Sequence, residues 1–271
     1  MANYMQYVPR VIRSPSNRSL GEYCDEDGSG PEFEAAVAQM LVPAYHLSSQ
    51  RSWPTTQIVP GDVIWLVSQV RSPWGSLPPS LDARINVKEV RRPSVSQEGY
   101  GTEYVAGSGS TWFPLADATE LLSSIGTVKK DSSVVVPYRP GRSHIGQAFQ
   151  SIRKLSSSAE VDAWVSSIAA RPLEFVSYRI HDGTQRAFDF VLSRMNAQAV
   201  VFWDRWSLPR RLSERGEWVD PVALDNHIHR QMQSADLVWG VPSPSYGAEG
   251  TYSKQEWDLA VKLGLFRWIP S

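Results

Sequence analysis

The chain holds a single cysteine, Cys24, among 271 residues. No intrachain disulfide can form and no thiolate cluster can hold a metal, which fits a reducing compartment. Cys24 has no evident basic partner in the sequence, so its thiol reads as inert. No apolar run approaches the ~18 residues that a membrane span requires. The opening MANYMQYVPRVIR also lacks the apolar stretch of a secretory signal. The expectation is a cytoplasmic protein with no membrane partner. The formal net charge is −1, so no overall basic field draws nucleic acid or anionic lipid. Arg10, Arg13 and Arg18 cluster near the start and read as a solvated surface. There is no G-x-G-x-x-G and no G-x(4)-G-K-[ST], which removes Rossmann-type hydride chemistry and a P-loop. His181, His227 and His229 make no metal site, because the last two lie two apart on a helix and point to different faces. No metal is expected, and no repeat or low-complexity tract is visible.

What is present fits a globular protein with a real core. Hydrophobic residues make up 42% and charged residues 20%, over a length that suits one large or two modest domains. Tryptophan is abundant, and Trp203, Trp206, Trp218, Trp239, Trp257 and Trp268 all fall in the last third. Tryptophan marks binding faces as well as cores.

Residues 1–150 read as mostly β. A helix is expected first, with Phe33, Val37, Met40, Leu41 and Ala44 on one face. Pro60-Gly61-Asp62 then turns the chain into a β-rich run from Val63 to Val70. Ile85, Val87, Lys88, Glu89 and Val90 alternate roughly as a half-exposed strand does. EYVAGSG, STWFPL and SVVVPY follow, with Gly, Ser and Pro between them. Short strands with polar turns predict a small barrel or a curled sheet. The phrase GDVIW, followed by the ARINVKEV and WFPL strands, resembles the PUA-like superfamily, including its EVE and ASCH types, over residues 55–125. That resemblance implies a pocket for a nucleotide or modified base. The alternative is a β-rich accessory domain without a ligand.

Residues 144–170 read as helical. Ile145, Phe149 and Ile152 share one side, and a capping box of Ser157 with Glu160 precedes Val161, Trp164, Val165 and Ile168. Arg171-Pro172 ends the segment. The expected organisation is a β-rich domain at 1–150, a helical junction at 151–172 and an α/β domain at 173–271.

In the last part strand and helix alternate. LEFVSYRI is a strand, and Phe188, Val191, Leu192 and Met195 stripe an amphipathic helix. AVVFW reads as a doubly covered parallel strand. Leu224, Ile228 and Met232 stripe a second helix, ADLVWGV is another buried strand, Glu256 to Leu263 form a third helix, and LFRWI closes the series. Such alternation predicts a parallel sheet with helices on both faces and a ligand at the C-terminal strand ends.

Five segments in this part, in order, are similar to the TIR (Toll/interleukin-1 receptor) domain. Phe175-Val176-Ser177-Tyr178-Arg179 resembles its first-strand motif. Val200 to Asp204 resembles the second strand, which ends in an Asp before the BB loop. Ile228 to Ser234, followed by Ala235-Asp236-Leu237-Val238, resembles the helix-to-strand passage, with Ala235 inserted. Ser243 and Tyr246 match the S-x-x-Y that follows, and Glu256 with Ala260 matches the helix start that carries the glutamate of NAD-cleaving members. Tyr252-Ser253 stand where the family has Trp-Cys, and Trp257 replaces a Leu.

The resemblance implies a flavodoxin-like fold and an NAD+ hydrolase, an effector of bacterial anti-phage immunity or a toxin, with NAD+ as substrate and no cofactor. Glu256 is then the catalytic carboxylate. Nicotinamide leaves as a neutral molecule, so no general acid is required, and the site must steady an oxocarbenium-like ribosyl cation. At a helix N-terminus Glu256 is also expected to be held charged by the dipole; the plain alternative is an ordinary helix-start carboxylate. Glu249, in a Gly-rich loop, is the rival acid. Ser177, Tyr178 and Arg179 are expected beside the nucleotide, with Arg179 meeting phosphate or standing as a surface arginine. Trp203 and Trp206 either stack on a substrate ring or pack in the core, and Asp204 either bonds a ribose or caps its loop. Tyr246 and Tyr252 complete the substrate-binding set. Family members work as assemblies in which one subunit completes another's site through the BB loop, here Asp204 to Gly216, so self-association is expected, triggered through the N-terminal domain. The alternatives are a non-enzymatic TIR scaffold, a nucleoside deoxyribosyltransferase-like enzyme, and an ADP-ribosyl cyclase.

Overall fold

The computed structural model describes residues 1–12, 43, 45–92, 101–207 and 221–270. Most of the helix read over 33–47, Cys24, Arg13, Arg18, Trp218 and the BB-loop stretch from 208 to Gly216 lie outside them, and the end of that helix is corrected, because Tyr45–Ser48 is a strand paired with Thr102–Val105.

Strands β1 (Asn3–Tyr7), β2 (Arg10–Val11) and β3 (Tyr45–Ser48) come first. A turn at Gly61, whose φ of +93° is costly for any residue with a Cβ, leads into β4 (Val63–Ser68), buried along its whole length. Then come β5 (Val70–Ser72), β6 (Gly75–Ser76), the long β7 (Ser80–Arg91), β8 (Thr102–Ala106) and β9 (Thr111–Trp112). Helix α1 (Thr119–Ser124), β10 (Thr127–Val128), β11 (Val134–Val135), helix α2 (Ile145–Phe149), β12 (Arg153–Leu155) and helix α3 (Ala159–Ala169) complete this half. The main sheet runs β11-β10-β12-β1-β4-β7-β8-β3, with β9 added on β7. It is open: among the described residues no pairing joins its two ends, so the expected barrel does not close. On β7, Ile85 and Val87 point inward, and a bulge between Val87 and Glu89 leaves Lys88 and Glu89 both exposed.

Two local expectations are corrected. The helix from 144 ends at Phe149, and residues 153–155 are strand β12. Pairing with β1 and β10 satisfies that backbone, and Gln50 Oε1 takes the Ile152 amide at 2.7 Å, so tertiary partners override the helical stripe. Ser157 does not form a capping box; its Oγ accepts from the Ala159 amide at 3.0 Å, a local turn ahead of α3.

The second half contains β13 (Leu173–Ser177), α4 (Thr184–Asn196), β14 (Val200–Phe202), α5 (Asp204–Ser207), α6 (Pro221–Gln233), β15 (Leu237–Gly240), α7 (Tyr252–Lys262) and β16 (Phe266–Trp268). Its four strands are all parallel, in the order β14-β13-β15-β16. Alternate residues face opposite helices. Phe175, Phe202 and Val238 pack on Ile228 and Met232 of α6 and on Ala260 of α7. Val176 and Val201 pack on Ala187, Phe188, Val191 and Met195 of α4. Both faces are covered, as a parallel sheet requires. The protein is thus mixed α/β with a β-rich half. Among the described residues no helix is long and apolar enough to cross a membrane.

The halves share cores and polar contacts. Leu115 and Val201 exchange backbone hydrogen bonds of 2.9 and 2.8 Å, laying the β-rich half along the free edge of β14. Ile12, Val70 and Leu77 join the core beneath α4, while Val161 and Ile168 of α3 share a cluster with Val200. Arg10 is buried rather than solvated, in a bidentate pair with Asp82.

Candidate active site

The strand order reverses direction at β13. The chain leaves β13 for β14 on one side and later returns across it to β15, and ligands of open α/β sheets bind outside the strand ends at such a point. Here that point opens into a small crevice of about 60 Å³. Phe175, Phe202 and Ile228 give it an apolar floor; Tyr178, Arg179 and Asp204 form one side, and Tyr252, Ser253 and Glu256 the other.

Glu256 reaches the crevice because of where α7 begins. Thr251 is the N-cap, its hydroxyl accepting from the Lys254 amide at 3.3 Å. Ser253, Glu256 and Ala260 are spaced along one helix face, and Ser253 and Ala260 are buried. That face turns Glu256 inward. The helix opens at Tyr252, so Glu256 sits in its second turn, beyond the reach of the terminal dipole. The dipole expected from the sequence therefore does not act on it. Instead Ser177 Oγ donates to Glu256 Oε2 at 2.6 Å.

The Tyr246 hydroxyl stands 2.9 Å from Ser177 Oγ. Burial first, and more weakly the Glu256 charge, push the Tyr246 phenol well above its ordinary range, against the Ser177 hydrogen bond. Tyr246 thus keeps its proton, and since the single Ser177 proton is committed to Glu256, Tyr246 donates to Ser177. The carboxylate ends a relay from Tyr246 through Ser177.

The neighbouring residue builds a second relay. The Tyr178 hydroxyl donates to Asp204 Oδ1 at 2.7 Å and accepts from Arg205 Nε at 2.7 Å. Burial, then the Asp204 charge, raise the Tyr178 phenol far beyond its ordinary value, so it too remains a donor. Two adjacent residues at the end of β13 therefore each present a hydroxyl to one carboxylate of the crevice. Arg179 adds a cation to the rim, and Tyr252, 40% exposed, lies at the mouth.

Trp203 and Trp206 do not line the crevice. Both are buried in the core under α4, Trp203 edge-on to Phe188, and the Trp206 indole donates to Phe113 O at 2.9 Å. Of the two readings of these rings, packing is the one the geometry supports. Glu249 is 90% exposed and outside the crevice. His227 is buried near Phe202, and among the described residues no group of three or more His, Cys, Asp and Glu side chains could hold a metal.

Sequence reasoning did not single out Asp182 or Arg205. Asp182 latches the loop after β15 to the loop after β13, accepting from Ser243 Oγ at 2.7 Å and the Ser245 amide at 3.0 Å. Arg205 is fully buried beside Tyr178. Neither lies in a local pattern; each acquires its role from a partner distant in the chain.

Two acceptor-only carboxylates over an apolar floor, with one arginine at the rim, suit a ligand with a hydroxyl-rich ring and developing positive charge. Comparison with family models, with curated proteins and with solved structures returned no significant match.

Proposed function

We propose that the second half is a TIR-type, flavodoxin-like domain and that the protein cleaves the nicotinamide–ribose bond of NAD+. The observation that carries this reading is the Glu256 carboxylate, turned into a crevice at the strand ends and aimed by the Ser177 hydroxyl. As the C–N bond breaks, its electron pair leaves with nicotinamide and the ribosyl carbon becomes cationic. Glu256 stabilises that charge, and water then adds at the carbon and loses a proton, giving ADP-ribose. A ribosyl-bound nucleophile arriving before water gives a cyclic product from the same cation. Asp204 accepts from ribose hydroxyls, and Arg179 meets the phosphates. The β-rich half, with its resemblance to nucleotide- and base-binding PUA-like domains, is the sensing part, and self-association completes the site. The biological role is that of an immune effector or toxin.

The test is nicotinamide release from NAD+ by the full chain, with and without nucleotide activators, products read by mass spectrometry. Glu256→Ala is expected to lower turnover at least about a hundredfold, the scale of losing a principal charge stabiliser, with melting unchanged. Retained turnover in that variant removes Glu256 from the mechanism. Cleavage of deoxynucleosides in place of NAD+ reassigns the crevice to nucleoside chemistry.

A further inference from the structure

We infer that Arg10, which does not itself line the crevice and lies 196 positions from Trp206 in the sequence, is a positioning residue for it, acting through Trp206 and α5 on Asp204. This rests on the NAD+ reading for its kinetic consequence but not for its structural one.

Helix α5 is only four residues long and cannot hold its own orientation. Its setting comes from outside. Arg10 Nη1 donates to Trp206 O at 2.6 Å, and the guanidinium lies 4.3 Å from the Trp206 ring centroid. Arg10 is fixed in turn by Asp82, with Nε to Oδ2 at 2.9 Å and Nη2 to Oδ1 at 2.5 Å, and Ser68 Oγ donates to Asp82 Oδ2 at 2.7 Å. Arg10 and Asp82 are almost wholly buried, at 2% and 1% exposure, so this anchor is rigid and shielded from salt. At the other end of the same turn stand Arg205, which donates to Tyr178, and Asp204, which accepts from Tyr178 and faces the crevice. A cation of the β-rich half thus grips the carbonyl of Trp206, two residues on from the carboxylate that lines the crevice. Movement at Trp206 displaces Asp204, the carboxylate that accepts from the ribose hydroxyls in the proposed complex, and so weakens substrate binding rather than the chemical step.

The test replaces the ion pair as a unit, Arg10→Met with Asp82→Leu, because apolar residues of similar volume leave no buried uncompensated charge. The readouts are amide hydrogen exchange over 203–207 and steady-state kinetics on NAD+. The double variant is expected to fold with a lowered melting temperature, because Ser68 Oγ and the Trp206 carbonyl each lose a partner, to exchange faster at 203–207, and to raise KM about tenfold with kcat within about threefold, the pattern of a lost uniform binding contact. Unchanged exchange and unchanged KM in a folded double variant overturn the inference. A wild type without NAD+ turnover defeats the functional reading while the exchange result still decides this one. If the double variant does not fold, Arg10→Lys takes its place: it keeps the charge beside Asp82 but lacks the fork that serves both partners, and the same rise in exchange is expected.

Discussion

Replacing Ser177 by alanine is the most informative perturbation of the crevice. It removes the hydroxyl that donates to Glu256 Oε2 at 2.6 Å and that stands 2.9 Å from the Tyr246 hydroxyl. A hydrogen bond to a charged group is worth about 1.5–3 kcal/mol. If that energy is expressed at the ribosyl cation, where the carboxylate must be aimed, kcat falls between about tenfold and about 150-fold. The fold is also affected, because Ser177 is buried and the Tyr246 hydroxyl loses its acceptor, at a cost of about 1–3 kcal/mol. Tyr246→Phe removes only the outer member of the relay and leaves the bond to Glu256, so its loss of kcat is expected to stay below about fivefold. The assay is nicotinamide release at saturating NAD+, alongside thermal melting of each variant. The order expected is Glu256→Ala, then Ser177→Ala, then Tyr246→Phe. A Ser177→Ala enzyme within about twofold of wild type, beside an inactive Glu256→Ala, refutes the aiming role. So does a Tyr246 variant more impaired than the Ser177 variant.

Two other predictions concern the fold. His46 and His227 are held at about 4 rather than 6.5, by burial first and at His227 also by the Arg230 charge. Their folded values lie below the unfolded one, so full stability is present above pH 6.5. It declines as pH falls toward 4, because the unfolded chain takes up protons that the folded protein refuses; each group removes about 3 kcal/mol over that window. Denaturant melts at pH 7 and pH 4.5 check this: His46→Gln is expected to flatten the decline, and an undiminished slope contradicts a buried neutral ring. Gly240 on β15 lies against Phe266 and Trp268 of β16, so a Cβ there meets both rings. Gly240→Ala is expected to cost about 1–3 kcal/mol, read as a lower melting temperature, and a neutral variant shows that the β15–β16 spacing is adjustable.

The parallel sheet was readable because its strands are short continuous apolar runs and its helices carry a 3.6-residue stripe. Phe188, Val191 and Met195 are buried under the sheet at the spacing the stripe implies. Strand β1 was not readable: NYMQY has no apolar run, and it is a strand because β4 and β12 lie on either side. The same holds for β12, where pairing prevailed over helical spacing. Trp203 and Trp206 were open to two readings, and burial distinguishes them.

From sequence alone came the periodicities, the absence of thiol and nucleotide-loop chemistry, and the position of one carboxylate in a chain segment resembling a known family. These are local properties, set by neighbours a few residues apart. Tertiary structure decided which hydroxyl meets that carboxylate, that Glu256 stands past the helix's first turn, and that Arg10 pairs with a residue 72 positions away. Contacts of that kind depend on how strands are ordered in space, and no pattern of adjacent residues encodes that order by itself.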